Sequence, residues 1–100
     1  DNDTLAGWLD SAPPAGVEYA RKYLRLNVEE GFSDGVIKTA LASVGDTVIL
    51  TMQDLLGLGS EARMNIPSTS YGNWQWRALE SDFSTDLARK LSAITKLYGR

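Results

Sequence analysis

The hundred-residue sequence predicts an α/β fold in which helices flank one short buried strand. Three observations carry that reading. Apolar residues recur at helical spacing in three stretches, 17–24, 36–44 and 87–97. The segment "DTVILTM", Asp46 to Met52, is β-branched and apolar on both faces, as in a strand covered on both sides. Glycine and proline punctuate the boundaries between these segments. Taken alone, the chain reads as mostly α, one segment over residues 1–100 with no internal domain boundary, repeat or low-complexity run. A lone strand cannot satisfy its own hydrogen-bond ladder. The expectation is therefore a piece of a larger sheet, either open or closed into a (β/α)₈ barrel.

Thr4 to Leu9 reads as a short helix capped by Asp3 or Thr4. Pro13 ends that run, and Pro14 suits the first position of the next helix. Val17, Ala20 and Leu24 share one face, with Glu18, Arg21, Lys22 and Arg25 on others, which carries the helix to about Leu26. Asn27 to Gly31 reads as a loop. Ser33 offers a cap with Asp34 in the first turn, and Val36, Ile37, Ala40, Leu41 and Val44 line one side up to Gly45. After the strand come Gln53 and Asp54, then a glycine-punctuated turn. Leu87, Leu91, Ile94 and Leu97 define a closing amphipathic helix from Ser84, capped by Gly99. Trp8 reads as core.

Composition narrows the chemistry. Apolar content of 43% and charged content of 23% are those of an ordinary globular protein. A net charge of -3 offers no footprint for nucleic acid. No apolar run approaches the roughly 20 residues of a membrane span. Without cysteine or histidine there is no thiolate, no imidazole base and no His-ligated metal, so neither metal nor cofactor is expected. Carboxylates, amides, hydroxyls and aromatics remain.

In open sheets and barrels, chemistry gathers at the C-terminal ends of the strands. That rule puts Gln53 and Asp54 on the active face, with the loop "MNIPSTSYGNWQWR", Met64 to Arg77, nearby. Asp1, Asn2 and Asp3 suit the end of a preceding strand. Each has a plainer reading: Asp1 and Asp3 as caps or solvated acids, Gln53 and Asp54 as an ordinary turn. Asp3 divides evenly between a structural role and substrate contact. Arg63 reads as a half-buried ion-pair anchor. Tyr71, Trp74 and Trp76 fit a stacking patch for a ligand, yet for Trp74 and Trp76 a loop cemented to its scaffold is the preferred reading. A stand-alone ligand-binding module using these aromatics and a self-associating interaction domain are the alternatives to an enzyme segment.

The block "QDLLGLGSEARMNIPSTSYGNWQWR" closely resembles a C-terminal motif of the 4-α-glucanotransferases known as amylomaltases or disproportionating enzymes. "DNDTLAGW" is similar to that family's His-Asp-Asn-Asp-Thr motif at the end of the seventh barrel strand, starting just after the histidine. "LARKLSAITKLYGR" looks like its final helix. The pattern departs at Pro67-Ser68-Thr69, where the family usually has Pro-Gly-Thr. The resemblance implies the C-terminal segment of a (β/α)₈ barrel that moves α-1,4-glucan segments between maltooligosaccharides with retention. It implies a nucleophile and an acid/base about 5–5.5 Å apart on earlier strands, outside this chain. Asp1 then corresponds to the third, transition-state-stabilising carboxylate. Asn2, Asp3, Gln53, Asp54, Asn65 and Pro67 become substrate-binding candidates, with Asn65 preferred in the loop. The chain alone is expected to be inactive, to need the N-terminal barrel segment as its partner, and to work in the cytoplasm or a plastid.

Overall fold

In the computed structural model, which describes residues 1–100, α1 spans Leu5–Ser11. Of the two candidate caps Thr4 takes the role, its Oγ1 accepting from the Gly7 amide at 3.1 Å. The helix α2 starts, as the sequence predicts, at Pro14 and runs Pro14–Tyr23. It stops short of Leu26 because Arg25 turns left-handed (φ 53°). The Leu26 amide then bonds back to the Arg21 carbonyl at 3.0 Å and the Arg25 amide to Lys22 at 3.2 Å, closing the end as a Schellman turn.

The next helix, α3, spans Phe32–Leu41, with Gly31 rather than Ser33 at its cap. It ends three residues before Val44, which is fully exposed. The orphan carbonyls at this end are taken by a side chain instead of a glycine turn. The Arg100 guanidinium donates to the carbonyls of Leu41 at 2.8 Å, Ser43 at 3.1 Å and Gly45 at 2.7 Å. Glu30, just before α3, pairs with Lys38 in its last turn, and that hydrogen bond holds the lysine above its usual pKa.

The expected buried strand at Asp46 to Met52 is not formed. Residues 47–51 carry no regular structure, Ile49 is 87% exposed, and Met52 already opens α4, Met52–Leu55. A ladder needs a second strand, and no second strand occurs in these residues. Mostly helical, as read, the chain continues through a 3₁₀ turn at Ser60–Ala62, a long loop and a second 3₁₀ turn at Glu80–Asp82. The last helix, α5, spans Thr85–Leu97, capped by Ser84 and closed by Gly99 at φ 70°.

Phe32, Ile37, Leu41 and Ala62 make the buried apolar core where α1, α3 and the first 3₁₀ turn meet. Trp8 sits at its edge, 38% exposed, with its ring stacked on Phe32 at 5.7 Å between centroids. The apolar side of α5, Leu87, Leu91 and Ile94, closes on Ile37 and Leu55, and Lys90 pairs with Asp34 at 2.7 Å on the rim. Ile49, Trp74, Leu79 and Phe83 are left exposed, and Ile49 and Trp74 share one cleft.

Candidate active site

The start of the chain and the loop after the first 3₁₀ turn meet across most of the sequence. The Asn65 side-chain amide donates to the Asp1 carboxylate, a contact between residues 64 positions apart. Arg63 supports both partners: Nη2 donates to the Asp1 carbonyl at 2.5 Å and Nε to the Asn65 carbonyl at 2.9 Å. Under this pair lies Gln53, buried, its Nε2 donating to the Ala62 carbonyl at 3.2 Å.

Two acids expected as possible sugar ligands spend their oxygens on the protein. Asp3 accepts from the Thr4 amide through Oδ1 and from the Ser60 hydroxyl through Oδ2, each at 2.8 Å. Asp54 accepts from the Leu5 amide through Oδ1 at 2.7 Å and from the Thr51 hydroxyl through Oδ2 at 2.8 Å. Asp54 thus ties the start of α1 to the start of α4. The charge suits both termini, where unpaired amides point outward.

Asp1, Asn2, Asp3, Gln53 and Asp54 line one open cleft of about 480 Å³, walled by Ile49, Met64 and Trp74. Asn65 reaches that cleft through its contact with Asp1. Pro67 is exposed and lies outside the cleft lining. An apolar groove lined by Met64, Trp74, Trp76 and Ala78 adjoins the cleft and shares Thr51 and Gln53 with it.

The loop from Met64 to Arg77 is held in part by its own polar groups. Asn73 Oδ1 accepts from the Ile66 amide at 2.9 Å, and Asn73 Nδ2 donates to the Thr69 hydroxyl at 2.9 Å. The Trp74 amide bonds to the Met64 carbonyl at 2.6 Å, and Arg77 donates to the carbonyls of Trp74 and Trp76. Trp74 itself is 61% exposed and left-handed, with φ 61°. Sequence reasoning missed Asn73. Its signal was available in type: asparagine side chains close loops by bonding backbone a few residues away. Ser68, at the position where the resemblance predicts glycine, adopts φ 66°, a conformation that a Cβ penalises.

A cleft lined by aromatic and aliphatic side chains together with carboxylates and amides offers groups that can bind sugar hydroxyls and C–H faces. Comparison sharpens the class. Residues 1–82 match the family described as 4-alpha-glucanotransferase. Over its whole length the chain is 46% identical to 4-alpha-glucanotransferase of Clostridium butyricum and covers 21% of that protein. It is 47% identical to the chloroplastic/amyloplastic 4-alpha-glucanotransferase of Solanum tuberosum, covering 18% of it. Among solved structures it superposes on amylomaltase from Streptococcus agalactiae in complex with acarbose, with a TM-score of 0.93 and 37% identity, over all of this chain and 20% of that one. The chain belongs to the 4-alpha-glucanotransferase family. It spans about a fifth of the length of these relatives.

Proposed function

We propose that this chain is the C-terminal part of a (β/α)₈-barrel 4-α-glucanotransferase, which transfers 1,4-α-glucan segments to glucose or another 1,4-α-glucan by retaining double displacement. The pairing of Asp1 with Asn65 carries the proposal, because it sets an exposed carboxylate and an amide together at the mouth of the cleft. In such a reaction the sugar ring gains positive charge as the glycosidic bond breaks. Asp1 stabilises that charge from a position fixed beforehand by Asn65. Asn2 and Asn65 take the contacts to sugar hydroxyls. Asp3, Gln53 and Asp54 hold the cleft together, as their hydrogen bonds to Ser60, Ala62 and Leu5 support.

The nucleophile and the acid/base come from the remaining barrel segment. Its strands supply the ladder that residues 47–51 lack, and they cover Ile49 and Trp74. The reaction belongs in the cytoplasm or, in a plant, in the plastid named for the potato relative.

The test is a graft in which this chain replaces the matching 101 residues of the Clostridium butyricum relative. The graft is expected to release glucose from maltotriose while forming longer maltooligosaccharides. Glucan transfer by the isolated chain, or a graft that folds and stays inactive, contradicts the proposal.

A further inference from the structure

We infer that Arg63 is the positioning residue that sets the Asp1–Asn65 pair, acting through the main chain of both; this rests on the glucan-transfer reading above. Nε and one Nη of a guanidinium lie along one edge of a planar, charged group and donate in parallel. In this chain that edge spans two main-chain carbonyls, Asn65 at 2.9 Å and Asp1 at 2.5 Å. Nη1 stands 3.9 Å from Asp3 Oδ2, a loose ion pair whose partners are only 22% and 17% exposed.

The base of the side chain is equally fixed. The Arg63 amide bonds to the Ser60 carbonyl at 3.1 Å at the end of the 3₁₀ turn. The preceding residue, Ala62, is fully buried, with its carbonyl held by Gln53. Arg63 therefore projects toward both partners of the Asn65–Asp1 side-chain contact.

The peptide around Asn65 is also held by the Trp74 amide on Met64 and by Asn73 on the Ile66 amide. The Asp1 carbonyl is held by Arg63 and its carboxylate by Asn65. Losing the guanidinium leaves the Asn65 rim in place and removes one of the bonds that set Asp1. The consequence falls on the chemical step rather than on binding. A displacement of about 1 Å at a catalytic group costs on the order of 100-fold in rate.

The test uses the grafted full-length enzyme carrying Arg63→Met, which keeps the stem and loses the donors, and Arg63→Lys, which keeps the charge on a single nitrogen. The reading predicts that both lower kcat on maltotriose by about 100-fold per folded molecule while KM shifts by less than about threefold. It further predicts that Arg63→Met combined with Asn65→Ala is no slower than the worse single variant, because both act through one pair. A merely structural arginine would lower the melting temperature, leave kcat per folded molecule within about twofold, and combine multiplicatively with Asn65→Ala; either kinetic result overturns the inference. Where Arg63→Met does not fold, Arg63→Lys decides. Asp1→Asn serves as the reference: if it is inactive while the Arg63 variants are normal, only this inference fails. If Asp1→Asn is fully active, the reading beneath it fails.

Discussion

Gly7 sits buried inside α1, and a methyl group there has nowhere to go. A Cβ built on Gly7 would stand 2.3 Å from Ser60 Oγ and 2.5 Å from Asp3 Oδ1. These atoms belong to the hydrogen bonds that Asp3 makes with Ser60 and with the Thr4 amide, the ones that join the start of α1 to the first 3₁₀ turn. Gly7→Ala must push the carboxylate out. Two charge-assisted bonds at about 1.5 kcal/mol each are lost, the low end of their range because Asp3 is only half-buried. The helix gains about 1 kcal/mol from replacing glycine by alanine. The net expectation is destabilisation by about 2 kcal/mol. Gly16 in α2 is the control, since a Cβ there meets nothing within 4 Å. Gly16→Ala should be neutral or stabilising by up to about 1 kcal/mol. Urea unfolding of the grafted enzyme, followed by far-ultraviolet circular dichroism, reads both. Equal stability of the two alanine variants would refute the claim that Asp3 is a structural brace.

Two further substitutions test the loop and the end of α3. Ser68→Gly relieves a left-handed residue at φ 66°, and the relief outweighs the added freedom of the unfolded chain by about 0.5–1 kcal/mol. A raised urea midpoint is expected, and a lowered one would mean that the Ser68 side chain holds the loop. Arg100→Lys removes the fork that satisfies the Leu41, Ser43 and Gly45 carbonyls and should cost about 1–2 kcal/mol. Hydrogen exchange should speed up in the last turn of α3, and unchanged protection there would count against the cap.

Most of the helices were legible because their signals are local. Pro14 opening α2, Ser84 capping α5 and Gly99 closing it each depend on atoms within about one turn. What sequence misplaced depends on distant partners. The end of α3 is set by Arg100, 59 positions after Leu41, so Gly45 looked like the terminator and is not. The apolar run through Ile49 has strand character in its residues, but its pairing lies outside the chain, and pairing is what makes a strand. The same physics governs the site. Asp3 and Asp54 bond to Ser60, 57 positions away, and to Leu5, 49 positions away, contacts that no local pattern signals. Periodicity says nothing about Asp1 and Asn65 meeting. Only the resemblance placed both at one cleft, and the structure brings the two side chains into contact.

The central claim is that Asp1 is this segment's catalytic contribution. The most direct measurement is kcat for maltotriose disproportionation by the grafted enzyme against its Asp1→Asn form, near-isosteric but uncharged, with both shown to be folded. The account predicts a loss of at least about 100–1,000-fold, the scale for removing one preorganised electrostatic group. An Asp1→Asn graft that turns over maltotriose as fast as its parent would contradict it.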